Sequence, residues 1–169
     1  NLMLNYKAEA GILSLEVFNK KHSKANLWGV GFNGSYKIWS ILFEGRFSKL
    51  FFKSYDVSEF LNQPEISSSL GIYYRDSLFS SNLDLKAGFN VKHSGRQDLN
   101  FLVIPNKGFD IVDVPQSFVL DFTVSAVIQK VSTIYFTWEN LFDKKYFLTP
   151  YYPMLQRNIR FGIAWEILN

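Results

Sequence analysis

Apolar residues recur at every second position along this chain. The last stretch shows it most plainly. Ile159, Phe161, Ile163, Trp165 and Ile167 take the odd positions, and Asn158, Arg160, Gly162, Ala164 and Glu166 the even ones. A strand turns successive side chains to opposite faces, so this stretch carries one hydrocarbon face and one polar or small face. The strand of a soluble sandwich alternates in the same way. Here, however, the alternation fills the whole chain and no helical segment is present to cover the apolar faces.

Seven earlier segments share the pattern. The predicted strands are Gly11–Asn19, Leu27–Lys37, Ile38–Lys49, Glu65–Arg75, Leu83–Lys92, Ser117–Gln129 and Thr133–Glu139. The fifth is regular throughout: Leu83, Leu85, Ala87, Phe89 and Val91 alternate with Asp84, Lys86, Gly88, Asn90 and Lys92. Most of these segments have about the 9–11 residues that a tilted membrane-spanning strand requires. The connections alternate too. A tight turn near Lys37–Ile38, then Asp76–Asn82 and Lys130–Ser132, are short. Lys20–Asn26, Leu50–Pro64, His93–Gln116 and Asn140–Arg157 are mostly long. Short turns at one end and long loops at the other describe an up-and-down outer-membrane barrel. The predicted fold is therefore all-β, an antiparallel transmembrane β-barrel of about eight strands.

Composition sharpens this picture. Aromatic residues make up 18% of 169 residues, with 17 Phe and 9 Tyr, more rings than a small core holds. Lipid contact and interfacial girdles would absorb the excess. The mean hydropathy of −0.02 suits a wall with one polar face. No run of 18 apolar residues occurs, so a transmembrane helix is excluded. The net charge is +3 with scattered basic residues, which gives no nucleic-acid footprint. There is no cysteine, hence no disulfide framework. Asn1–Gly11 lacks the pattern of a signal peptide, so a removed leader or a longer parent polypeptide is expected.

Candidate chemistry is sparse. His22 and His93 are the only histidines, and neither has metal-ligand spacing. No Gly-x-Ser-x-Gly or phosphate loop is found, so no catalytic residue, metal or cofactor is expected. The polar faces carry Glu44, Arg46, Asp84, Lys86, Lys92, Asp121, Glu139, Arg160 and Glu166. Such charges either bind polar solutes or pair across strands. Glu139 and Arg160 fall on adjacent strands and are candidates to pair. Phe142, Tyr146, Phe147, Tyr151 and Tyr152 crowd the last long loop, with Lys107 and Asp110 in the loop before it. Of these, Phe142, Tyr146, Tyr151, Tyr152 and Lys107 are the candidate ligand-binding residues, against the alternative that the aromatics form an interfacial belt.

The second half resembles the C-terminal end of TonB-dependent outer-membrane receptors. The resemblance rests on Trp138-Glu139-Asn140-Leu141-Phe142-Asp143-Lys144-Lys145-Tyr146-Phe147, then Tyr151-Tyr152-Pro153 and Arg157-Asn158-Ile159-Arg160-Phe161-Gly162. Tyr74–Phe79 and Leu83–Gly88 are also similar to that family's barrel repeats. The chain departs from the pattern where Leu155-Gln156 replaces the usual Pro-Gly, and where it ends on Ile167-Leu168-Asn169 rather than an aromatic residue.

The resemblance implies a barrel of about 22 strands with an N-terminal plug. Residues 1–169 would form a single barrel domain or barrel fragment, about the C-terminal third, with no plug domain present. It further implies energised uptake of a scarce nutrient (siderophore, cobalamin or glycan) across the outer membrane of a Gram-negative bacterium. The TonB complex would engage through the missing N-terminal region. Arg160, Gly162, Trp165 and Ile167 resemble the terminal signal read by the barrel-assembly machinery, which would pair with the last strand by β-augmentation. An ordinary final strand has the same residues. Two other readings stay open: a self-contained eight-stranded outer-membrane barrel with a structural or adhesive role, and a soluble barrel that turns its apolar face inward.

Overall fold

The computed structural model describes residues 2–8, 11–22, 25–54, 64–104 and 108–166. Nine strands form one antiparallel sheet: β1 (Leu2–Ala8), β2 (Gly11–His22), β3 (Ala25–Ile38), β4 (Ile41–Ser54), β5 (Ile66–Leu78), β6 (Leu83–Ser94), β9 (Ser117–Ile128), β10 (Ser132–Glu139) and β13 (Asn158–Trp165). Each pairs with the next in that order. The sheet is open, with β1 and β13 at its two edges. Two hairpins stand apart from it: β7 (Gln97–Ile104) with β8 (Gly108–Val114), and β11 (Phe147–Thr149) with β12 (Tyr152–Pro153). Among the described residues no helix is long and apolar enough to cross a membrane. A barrel crosses with strands instead.

The eight predicted strands are β2 to β6, β9, β10 and β13, and β1 is an addition. Met3 interrupts the alternation of Leu2, Leu4 and Tyr6 in β1, which hides it. The turn expected at Lys37–Ile38 lies at Trp39–Ser40, because Ile38 already pairs with Ile41. Trp39 has φ 51°, the left-handed geometry that two-residue hairpin turns demand. The connection Lys20–Asn26 is not a long loop. The β2–β3 ladder continues to His22 opposite Ala25, leaving residues 23–24 between them. Backbone pairing can outrun the apolar band, because hydrogen bonds between strands need no alternation of side chains. The long segments His93–Gln116 and Asn140–Arg157 hold the two small hairpins.

Cross-strand register aligns the apolar positions. Tyr36 pairs with Phe43, then Ile72, Phe89, Phe122, Trp138 and Ile159 follow on successive strands. They form a hoop across seven strands, and it is open to the surroundings: Phe89 is 51% exposed and Ile159 58%. The opposite face is the sheltered one. Asp121 is 2% exposed and Tyr73 8%, with Leu42 and Val119 also buried there. A soluble sheet buries its hydrocarbon and wets its charges. This sheet leaves its hydrocarbon hoop open and shelters Asp121 on the other face, which is how a membrane wall with a polar interior is built.

The polar face is spaced by small residues. A methyl group at Gly88 would strike the Ile72 carbonyl oxygen, so the β5–β6 pair needs glycine there. The ring of Tyr73 covers Gly71, and that of Tyr135 covers its cross-strand partner Gly162. Aromatic cover of this kind shields a backbone that glycine leaves bare.

Candidate solute-binding cleft at the loop end

The charges of the polar face are consumed largely in pairs. Lys86 on β6 reaches across β5 to both carboxylate oxygens of Glu44 on β4, each at 2.8 Å. Its ammonium lies 4.1 Å from the centre of the Tyr73 ring, so a cation–π contact supports the bridge. Arg46 donates to the Asn33 side-chain oxygen at 2.9 Å, and the Ser69 hydroxyl to Asn90 at 2.8 Å. Arg75 stands 3.8 Å from Asp84. These contacts span four strands, β3 to β6, and brace the wall.

At the end carrying the long loops the wall opens into a cleft of about 410 Å³, a size typical of small-molecule sites. Asp121 on β9 is its buried anchor. One carboxylate oxygen accepts the backbone N–H of Asn140 at 2.9 Å, and the other receives Lys92 at 2.7 Å. Asn140, at φ 52°, follows β10 directly and folds the start of the last loop. Its side chain donates to the Lys144 carbonyl at 2.8 Å and accepts the Lys144 N–H at 3.0 Å. Asparagine tolerates the left-handed conformation and bonds its own backbone neighbourhood, so it suits both tasks. Further along, Asp143 accepts the N–H of Arg157 at 2.8 Å, and Tyr146 the N–H of Met154 at 2.9 Å through its carbonyl. The Asn140–Asp143 stretch is thus a staple that holds both arms of the loop.

The rim of the cleft carries a second pair, Arg160 with Glu139, as their adjacent strands suggested. Tyr146, Leu148 and Met154 supply its apolar side. Burial raises the Tyr146 phenol above its ordinary value, with Lys92 opposing and the nearby Asp121 and Glu139 adding to the rise. The ring therefore sits among these charges as a neutral hydroxyl.

Of the candidate ligand residues, Tyr146 lines this cleft. Phe142 is 67% exposed at the turn, with Lys144 5.9 Å above its ring. Tyr152 is exposed, and Tyr151 borders a separate apolar pit with Val114, Phe147 and Pro150. Lys107 lies outside the described residues. In the terminal signal, Arg160 points to the cleft, Gly162 lies beneath Tyr135 and Trp165 is exposed, while Ile167 lies outside the described residues. In the sequence Asn140 stands out only within a motif, and Lys92 and Asp121 only as polar-face charges. The signal that unites them is register, since Asp121 opposes Asn90 two residues before Lys92 and ends beside the β10 terminus. Among the described residues no group of three or more His, Cys, Asp or Glu is placed to hold a metal ion.

A sequence family described as "Putative porin" matches residues 19–169. The chain belongs to this porin family. No curated protein matches it. Among solved structures it is similar to the ferripyoverdine receptor of the outer membrane of Pseudomonas aeruginosa bound to ferripyoverdine, at 13% identity and a TM-score of 0.68. That match covers 96% of this chain and 26% of the receptor. The F5-1 variant of the FrpB iron transporter from Neisseria meningitidis matches at 14% identity and a TM-score of 0.68, over 96% of this chain and 30% of that one. At such identities the likeness is one of fold. The porin chain spans under a third of either receptor, and its nine strands have the architecture of their barrel wall. This is the fold that the resemblance to TonB-dependent receptors implied.

Proposed function

We propose that this chain supplies wall and external rim to an outer-membrane transporter of the TonB-dependent-receptor type, which takes up a small nutrient. The observation that carries the reading is the inverted burial of the sheet. The apolar hoop from Tyr36 to Ile159 meets lipid, and the paired charges face a lumen. Membership of a porin family and the likeness in fold to a ferripyoverdine receptor and an iron transporter support it. The open edges at β1 and β13 are where further strands of a wider barrel would pair. The β13 edge, with Arg160, Gly162 and Trp165, is also the surface offered to the barrel-assembly machinery during insertion. Coupling to a TonB complex falls to a region N-terminal to these residues.

Two measurements test this. An antibody against Phe142–Gln156 should detect, in the outer-membrane fraction of the source cell, a band far larger than 19.6 kDa. A band near that size would favour the self-contained small barrel and remove transport. Cells lacking the protein should then be tested for slower uptake on limiting nutrients, and unchanged growth on every nutrient class would also count against transport.

A further inference from the structure

We propose that the loop-end cleft binds an uncharged polyhydroxylated solute, a saccharide, with Arg160 and Glu139 gripping adjacent hydroxyls and Tyr146 against the apolar face of the sugar ring. This rests on the transport reading and names its substrate class.

The charge balance of the cleft is the first argument. Its two cations, Lys92 and Arg160, each stand against a carboxylate, Asp121 and Glu139. A multiply anionic ligand would compete for the same two cations with Asp121, a carboxylate only 3% exposed at its side chain, and with Glu139. A cationic ligand finds only the one Glu139 oxygen that Arg160 leaves, since both oxygens of Asp121 are taken. A neutral ligand breaks neither pair.

The second argument is the capacity left over. Asp121 is saturated by Asn140 and Lys92. Glu139 meets Arg160 through one carboxylate oxygen, and Arg160 uses one guanidinium nitrogen while its side chain is 66% exposed. A free carboxylate oxygen and spare guanidinium N–H groups therefore lie side by side at the rim. Adjacent sugar hydroxyls each donate and accept, so they match a juxtaposed acceptor and donor. The third argument is the apolar side formed by Tyr146, Leu148 and Met154, which suits the C–H face of a pyranose.

The test uses the full native polypeptide in detergent and a calorimetric panel. The panel holds neutral malto-, xylo- and chito-oligosaccharides, carboxylated oligogalacturonides, and ferric citrate. A neutral oligosaccharide should bind, with affinity changing less than about twofold between low and high salt, because no net charge is neutralised. Glu139→Gln and Arg160→Lys should each weaken it on the order of tenfold, and Tyr146→Leu by about fivefold. Tyr146→Phe should keep the affinity, and heat-modifiable gel mobility checks that each variant is folded. Binding of only the charged probes, steep salt dependence, or no binding by a folded protein that still supports uptake would overturn the saccharide assignment and leave transport standing. Saccharide binding without any uptake defect in cells lacking the protein would overturn transport and leave the assignment standing.

Discussion

Asp121 holds a strand neighbour and the first turn of the last loop together. Asp121→Ala should lower unfolding stability in detergent by about 3 kcal/mol, through an unpaired buried N–H on Asn140 and an unpartnered Lys92. Denaturant titration of the variant checks this. Tyr146 sets a pH limit at the same place. Its folded value is raised by burial, so its contribution is complete below the ordinary phenol value near 10.0 and is lost as pH climbs through the raised value. Stability should fall on the alkaline side, and Tyr146→Phe should flatten that limb in a pH series of melting curves. At this scale the sequence was legible for Glu139 and Arg160, which are charged residues on neighbouring strands. The role of Asn140 was hidden, since nothing in Asn-Leu-Phe-Asp-Lys says whether the asparagine meets a ligand or its own loop.

At the scale of elements, period-two spacing exposed every strand that crosses the apolar hoop, because each of those must keep hydrocarbon on one face. It failed where that demand lapses. The polar continuation of β2 to His22 has no alternation at all. In the β7–β8 hairpin short alternating stretches, Asp98 to Phe101 and Phe109 to Ile111, run into apolar pairs that break the period. The hoop itself can be tested. Phe89 lies mid-strand in β6 with its ring 5.1 Å from that of Phe122. Phe89→Arg should destabilise the barrel by about 2–4 kcal/mol in a bilayer, whereas Phe89→Leu should cost under about 1.5 kcal/mol. Reversible unfolding from lipid vesicles measures both, and equal costs for the two variants would remove Phe89 from the lipid face.

For the molecule as a whole, the sheet exposes both an apolar face and two unpaired edges, β1 and β13. Residues 1–169 expressed alone should aggregate in buffer without detergent, by edge pairing and hydrocarbon contact together. Light scattering decides this, and a monodisperse folded species would restore the soluble barrel. The overall architecture could be read from the chain because one physical rule, lipid outside and polar groups inside, acts on every strand. Which strands close the wall could not be read, since closure depends on partners for β1 and β13.

The inverted burial also bears on how such a chain can change over time. A packed core restricts each side chain to the shape its neighbours leave, but fluid hydrocarbon adapts to any apolar shape. The positions of the hoop are free to drift among Phe, Leu, Ile and Val, while Asp121, Asn140 and Lys86 answer to fixed partners. Divergence in this wall should therefore gather on its greasy side, and the memory of function should persist on the wet one.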